Sequence, residues 1–164
     1  MNANLEQNFV KLLSENQNLI HKVCRIYTSD IDSHNDLFQE ITIQLWKAYP
    51  KFRGESKFTT WAYRVALNTA ITIFRKNNKT FVTNEYEKQS FFIAQEDYNN
   101  EEEEQLKLMY QAIQQLNDIE KALIFMYLED KDYQEISETL GITEVNARVK
   151  MNRIKTKLKK ILNP

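Results

Sequence analysis

The sequence predicts an all-α fold of two small helical domains joined by a flexible acidic linker. Apolar residues recur at spacings of three and four along most of the chain, as they do on one face of a helix. Only 2 glycines and 2 prolines occur among the 164 residues. A β-sandwich or barrel needs such residues at every turn, so these classes are excluded. The glycine count also excludes a glycine-rich phosphate loop.

The first domain, residues 1–79, is predicted to contain three helices. Residues 5–27 keep helical spacing throughout and are expected to form a single helix. A second helix follows a polar break, with Asp32 or Ser33 as its N-cap, since these side chains accept bonds from first-turn amides. Pro50 ends that helix because proline lacks the amide hydrogen that a helix interior requires.

The third helix, residues 57–76 with Ser56 as its N-cap, combines aromatic side chains with basic and amide ones. This mixture suits unpaired DNA, because bases stack on aromatic faces while cations follow the phosphate backbone. Aromatic residues at helical spacing are also common in the core of a bundle. We expect Trp61 to pack partly in the core and partly to contact unpaired DNA.

Charge is distributed unevenly, although the formal net charge is only −1. Residues 80–104 contain one basic and eight acidic residues and show no helical period, which predicts a linker. Residues 141–164 contain seven basic residues and one acidic residue. Such a basic segment predicts a local contact with a polyanion. The alternative is a solvated terminal helix whose cations lie near its negative end.

The second domain, residues 105–164, ends in a predicted helix-turn-helix. A short helix over Tyr133–Leu140 is followed by Gly141, which can adopt the positive φ of a tight turn. Thr143 then caps a longer basic helix over residues 144–162. In a helix-turn-helix the second helix enters the major groove of DNA. An ordinary helical hairpin with one charged face is the alternative.

Two sets of motifs resemble conserved regions of the extracytoplasmic-function sigma factors of bacterial RNA polymerase. The segments that resemble region two are Asp36-Leu37-Phe38-Gln39-Glu40, Leu45-Trp46, Phe52-Arg53-Gly54-Glu55-Ser56, Phe58, Thr60-Trp61, Tyr63-Arg64 and Asn68-Thr69-Ala70. The segments that resemble region four are Tyr133-Gln134-Glu135-Ile136-Ser137, Leu140-Gly141-Ile142-Thr143-Glu144 and Arg148-Val149-Lys150. The two sets stand in the order that the family has.

The resemblance implies an initiation subunit that directs core RNA polymerase to specific promoters and opens the minus-ten region. It implies no enzymatic activity, no cofactor and no metal. The implied partners are the clamp helices of the largest polymerase subunit and the polymerase flap, promoter DNA in double- and single-stranded form, and an anti-sigma factor. We expect a cytoplasmic protein without membrane insertion, because no apolar run is long enough to span a bilayer.

The resemblance also assigns roles by position. Binding of core polymerase falls on Asp36, Leu37, Gln39, Glu40 and Trp46. Contact with the minus-ten strand falls on Phe52, Lys57, Trp61, Arg64 and Asn68. In the recognition helix, the minus-thirty-five bases would be read by Arg148, Val149, Asn152 and Arg153. Phosphate contacts there would come from Thr143, Lys150 and Lys155.

Two other functions are compatible with parts of the sequence. A helix-turn-helix repressor or activator, with an N-terminal lobe that senses a ligand, would bind duplex operators as a dimer without polymerase. A small metalloenzyme would have to use the His21-x-x-Cys24 pair, and His34 is the only further histidine. Cys24 is the single cysteine, which favours a small core side chain over a zinc ligand.

Overall fold

The computed structural model describes residues 3–80 and 100–164, and the described residues contain helices and turns but no strand. The predicted all-α class is therefore confirmed. The helices, with one 3₁₀ turn at Tyr49–Lys51 between α3 and α4, are α1 Ala3–Glu15, α2 Gln17–Tyr27, α3 Ile31–Ala48, α4 Phe58–Thr80, α5 Asn100–Gln114, α6 Asp118–Leu128, α7 Tyr133–Leu140 and α8 Glu144–Leu162.

The predicted linker differs from the structure at its C-terminal end. Residues 100–104 already belong to α5. Glutamate is a good helix former, and Glu101, Glu102 and Glu103 in the first turn complement the positive end of the helix dipole. The acidic run thus starts a helix. The rest of the linker, which the sequence predicts to be flexible, is residues 81–99 and lies outside the described residues.

The prediction of a single first helix was wrong. The chain breaks at Asn16, whose side-chain Nδ2 donates to the Leu12 carbonyl over 2.7 Å. Its backbone NH donates instead to the Leu13 carbonyl, in a tighter turn. Asparagine side chains compete in this way with the helical hydrogen-bond ladder. The chain therefore forms two helices here, α1 ending at Glu15 and α2 beginning at Gln17.

Two predicted N-caps were also misplaced. Asp30, rather than Asp32 or Ser33, caps α3, and its carboxylate accepts from the Ser33 NH at 2.7 Å. Ser56 does not cap α4, because its hydroxyl points to the Lys57 carbonyl at 3.4 Å. At α3 the capping residue types Asp30, Asp32 and Ser33 stand close together, whereas α4 begins one residue later than predicted, at Phe58.

Helices α2, α3 and α4 form the core of the first lobe. The buried side chains meet where the three helices face one another, and include Ile20, Val23, Ile41, Leu45 and Leu67. Helix α1 adds Phe9, whose ring lies 5.0 Å from the ring of Trp46. This packing fixes α3 and α4 side by side, so that their outer faces form one surface.

Helix α6 is the centre of the second lobe and contacts α7 and α8. Its start is fixed by a capping box, in which Asn117 accepts from the Glu120 NH and Glu120 accepts from the Asn117 NH. The turn between α7 and α8 is made by Gly141 at φ 68°, as predicted. Its NH donates to the Ser137 carbonyl at 2.9 Å and ends α7.

The two lobes contact each other, and the centre of the contact is apolar and aromatic. Tyr27 of α2 donates its hydroxyl to the Asp118 carbonyl at 2.7 Å, and burial raises the pKa of that phenol. Lys121 is 1% exposed, and its ammonium lies 4.4 Å from the centroid of the Phe74 ring. Such a cation–π contact partly replaces lost hydration. The Gln114 amide extends the contact, donating to two carbonyls at the end of α2.

Polar pairs surround this centre. Glu129 accepts from the Tyr63 hydroxyl at 2.9 Å and pairs with Lys22 at 3.2 Å. Burial, followed by the bond to Glu129, raises the pKa of Tyr63, which keeps the phenol a donor. Arg75 pairs with Asp118 on another side of the contact. The basic partner of each ion pair is exposed, so solvent screens the pair and its contribution is about 0–1 kcal/mol. These ion pairs therefore orient the lobes more than they hold them together.

A pair of histidines lies between α2 and α3. Nδ1 of His21 is 2.9 Å from Nε2 of His34, and the rings are stacked. A hydrogen bond between two ring nitrogens needs one lone pair, so both rings cannot be cations at once. Burial, and then the Arg25 charge, lower the pKa of His21. Burial lowers the pKa of His34 most, followed by His21 and Arg25.

Stability is predicted to fall as the pH drops below the ordinary histidine pKa of 6.5. Both pKa values are lowered in the folded state, so the unfolded chain binds more protons in this window. Urea unfolding between about pH 7.5 and pH 5.5 measures the slope. The variant with His21→Gln and His34→Gln should show a flatter profile over the same range. An equal slope in both proteins would show that the pair does not titrate with folding.

Replacement of Gly141 is predicted to destabilise the second lobe without a steric clash. A Cβ at this position would meet nothing within 4 Å, but the backbone is left-handed. Gly141→Ala should therefore lower the free energy of unfolding by about 1–2 kcal/mol. Gly141→Asn is the matched variant and should cost less, because asparagine tolerates this conformation. Equal stability of wild type and Gly141→Ala in urea would contradict the assignment.

Candidate nucleic-acid interface

Helix α8 has two opposite faces. Ala147, Met151 and Ile154 are fully buried and pack against the other helices of the second lobe. At 100° per residue, the opposite side is the solvent face of the helix. That side carries the exposed residues Val145, Arg148, Val149, Asn152 and Thr156. Helix α8 therefore presents one continuous outer face, as a helix that enters the major groove must do.

The first turn of α8 is held by its cap and by one charged pair. Thr143 accepts from the Asn146 NH at 3.1 Å, which also places its hydroxyl at the positive end of the helix. Arg148 lies 3.9 Å from Glu144 and over the ring of Tyr133, 5.1 Å from its centroid. The guanidinium is thereby oriented while it remains exposed, so it stays available to a ligand.

The other basic residues of α8 that are predicted to contact DNA differ in the exposure of their charged groups. Arg153 is exposed and lines a shallow groove together with Asn152 and Lys157. Lys150 is half-buried. Lys155 lies over the Tyr127 ring, with its ammonium 4.5 Å from the centroid. Of these cations, Arg153 is the one whose position best suits a base or phosphate contact.

The predicted minus-ten residues separate into an exposed pair and an aromatic cluster. Arg64 and Asn68 are exposed and lie four residues apart, on the same face of α4. Lys57 is exposed just before that helix. Phe52 and Trp61 are half-buried, and their ring centroids are 4.9 Å apart. The two rings pack on each other and on the ring of Phe58, and each stays partly exposed.

The predicted polymerase-binding residues lie along α3. Asp36 and Gln39 are exposed, and Glu40 accepts from the Gln44 amide at 2.9 Å. Trp46 is half-buried against α1. Leu37 is only 3% exposed and belongs to the core. Its side chain packs in the core of the first lobe, and its assignment to polymerase binding stays a prediction.

A groove between α3 and α4 joins the two predicted surfaces of the first lobe. Its lining includes Glu40 and Gln44 from α3 and Asn68, Thr69 and Thr72 from α4. The helices are neighbours because their inner faces share the core of the lobe. A residue predicted to contact polymerase and a residue predicted to contact DNA thus line the same polar groove.

Within residues 3–80 and 100–164, no group of three or more His, Cys, Asp or Glu side chains could hold a metal ion. Burial raises the pKa of the Cys24 thiol to about 12, so it is not a reactive thiolate. No helix in the described part of the chain is long and apolar enough to span a membrane.

Sequence reasoning missed two residues of the α8 surface, Val145 and Thr156. Val145 is 70% exposed on the same face as Arg148 and Val149. The apolar stripe of Ala147, Met151 and Ile154 was sufficient to find them, because every residue on the opposite side of that stripe belongs to the surface. Neither residue belongs to the segments that resemble the family.

Comparisons with known proteins match both lobes. The Sigma-70 region 2 family matches residues 12–80, and the Sigma-70, region 4 family matches residues 106–158. The chain is 27% identical to the ECF RNA polymerase sigma-E factor of Haemophilus influenzae, over 95% of this chain and 88% of that protein. It is 29% identical to the RNA polymerase sigma-H factor of Pseudomonas aeruginosa, over 88% of this chain and 82% of that protein.

The fold has a close counterpart among solved structures. The sigma factor RpoE of Bartonella quintana, crystallised with the anti-sigma factor NepR, matches with a TM-score of 0.74 at 16% identity. The match covers 95% of this chain and 97% of that one. Both regions occur in order on one chain, which favours an initiation factor over a ligand-sensing repressor. The chain belongs to the extracytoplasmic-function sigma factors of the sigma-70 family, the promoter-specific initiation factors of bacterial RNA polymerase.

Proposed function

We propose that the chain divides promoter recognition between a lobe of residues 1–79 and a lobe of residues 105–164, with residues 80–104 as the linker. The second lobe binds the minus-thirty-five element as duplex. The first lobe binds the opened minus-ten strand and holds core polymerase. The observation that supports this proposal most strongly is the arrangement of α8. One face of this helix packs in the core, and the opposite face is continuously exposed.

The exposed face of α8 supports duplex recognition. Arg148 and Asn152 are residues that form paired hydrogen bonds to base edges in the major groove, arginine with guanine and asparagine with adenine. They lie four residues apart and point the same way. Arg153 and the lysines that follow would neutralise phosphates, while Thr143 reaches a phosphate from the start of the helix. The face thus combines base contacts with backbone contacts.

The outer face of α4 supports binding of a separated strand. Arg64 and Asn68 offer donors to unpaired bases and phosphates, and the half-buried rings of Phe52 and Trp61 offer aromatic surface on which a base could stack. Stacking on an aromatic side chain contributes ~1–3 kcal/mol per base, which can offset the few kcal/mol that unpairing costs. Lys57 adds a cation at the start of the helix. This lobe would therefore stabilise open DNA and need not force it apart.

The polar face of α3 supports binding of core polymerase. Asp36, Gln39 and Glu40 present carboxylates and an amide on a rigid helix that α4 supports from behind. Two acids four residues apart slightly oppose helix formation, so an outside basic partner would relieve them. We assign this face to the clamp helices of the largest subunit, with the second lobe on the flap. Trp46 would contribute an edge of this surface.

The lobes would have to separate before both elements are bound. The names of the two elements imply about 25 base pairs between them, or roughly 85 Å of duplex at 3.4 Å per base pair. A compact chain of this length has a radius of gyration of about 15 Å. The contact through Tyr27 and Asp118 therefore belongs to the free protein. An anti-sigma factor, such as accompanies the related fold of RpoE, would act on the same lobes. The protein would work in the cytoplasm and would not itself be an enzyme.

Substitutions in the two lobes are predicted to impair different steps of initiation. With core polymerase, Arg148→Ala should lose discrimination in the upstream element, by ~1–3 kcal/mol for each base contact removed. Asn68→Ala should retain binding of the closed promoter and lose strand opening, which permanganate reactivity of unpaired thymines measures. Run-off transcription reports the combined loss.

Lys11→Ala is the matched control, because Lys11 is an exposed cation on α1 outside every proposed surface. It should leave both steps unchanged. If Arg148→Ala and Asn68→Ala impaired capture and opening in equal measure, the proposed division of labour would be wrong.

A further inference from the structure

Two exposed valines lie at the centre of the α8 surface. Val145 is 70% exposed and Val149 is 42% exposed. They are four residues apart, so their side chains are neighbours on one face of the helix. That face is opposite the buried stripe and also carries Arg148 and Asn152. Two methyl-bearing side chains therefore stand together among groups that form hydrogen bonds.

Single exposed apolar residues are ordinary on protein surfaces, but this pair has an unusual position. Valine is a weaker helix former than most polar residues, so the helix itself gains nothing from two of them. In a helix a valine side chain also occupies mainly one rotamer, which fixes the direction of its methyl groups. Val145 is the second residue of α8, and the N-terminal residues of a recognition helix are those that meet base edges.

The major groove offers one apolar group that matches such side chains. Each base pair presents hydrogen-bond donors and acceptors there, and thymine alone adds a C5-methyl group. Valine has no side-chain donor or acceptor, so it cannot distinguish bases by hydrogen bonding. From these positions we propose that Val145 and Val149 read thymine methyl groups in the upstream promoter element. The proposal rests on the proposed function of α8 as the duplex-binding helix.

The spacing of the valines limits where the thymines lie. Four residues of helix rise by about 6 Å, and one base-pair step rises by about 3.4 Å. The two methyl contacts therefore fall within about two base-pair steps of each other, on either strand. Arg148 lies between the valines in sequence and would bond to a base in the same short segment. The upstream element is thus expected to contain two A·T pairs, adjacent or separated by one pair.

Uracil substitution tests the proposal without changing base pairing, since uracil lacks only the C5-methyl group. The preferred upstream element is first selected with the polymerase holoenzyme from duplexes randomised over that element. Each thymine is then replaced singly by uracil, and holoenzyme binding is measured. Two of the uracil replacements, at positions within about two base-pair steps of each other, should each weaken binding about fourfold. A fourfold loss corresponds to ~0.8 kcal/mol, the contribution of one buried CH₂ group. The other replacements should have no effect.

Protein variants connect each methyl group to its valine. Val145→Ala should abolish the effect of uracil at one position, and Val149→Ala should abolish it at the other. Both changes favour the helix, so folding is preserved. Val10→Ala is the matched control, because Val10 is a valine of 52% exposure on α1 of the other lobe. It should leave both uracil effects unchanged.

The outcomes separate this proposal from the proposed function. Loss of upstream discrimination in Arg148→Ala, with no uracil effect at any thymine, would overturn the methyl contacts and leave α8 as the reading helix. Weaker binding of core polymerase by Val145→Ala, without a uracil effect, would assign the valines to a protein contact and also overturn the proposal. If Arg148→Ala left upstream discrimination intact, the function of α8 itself would be wrong.

Discussion

The structure depends on the burial of α6 between two sets of helices. Residues 121–126 of α6 are all buried, because α8 covers one side of the helix while α2 and α4 cover the other. The recognition helix is thus positioned by the same element that contacts the first lobe. Lys121 is the polar member of this run, and the aromatic rings around it reduce the cost of its charge. The orientation of α8 is therefore coupled, through α6, to the contact between the two lobes.

The same interface suits a contact that has to open. Its centre is the buried side of α6 with the enclosed Lys121 ammonium, and its edges are ion pairs between an exposed basic side chain and a half-buried carboxylate. Interfaces between domains of one chain are commonly of this kind, and relative motion is expected across them. Because the pairs are weak in water, binding of polymerase and DNA can replace them. Under the proposed function, this contact opens when both promoter elements are held.

Local features of the sequence were sufficient for the helix-turn-helix. Gly141 and Thr143 each act within one turn of their own position, so their roles followed from residue type alone. Features that depend on distant residues could not be found in this way. Asparagine also occurs inside unbroken helices, so the residue type alone did not predict a break at Asn16. Leu37 belongs to a segment that resembles the family, and that segment does not show that Leu37 lies in the core. The closure of the lobes was missed as well, but the run Ala122–Met126 offered a signal. A helix that is apolar on every side must be covered on every side.

The distance between the lobes tests the central claim, that one chain closes on itself when free and opens on a promoter. Spin labels on Lys11→Cys and Lys107→Cys report that distance, since both side chains are exposed and the native Cys24 is buried. The account predicts one short distance in the free protein and an increase of several tens of ångströms in a complex that initiates transcription. An unchanged distance in that complex would contradict it.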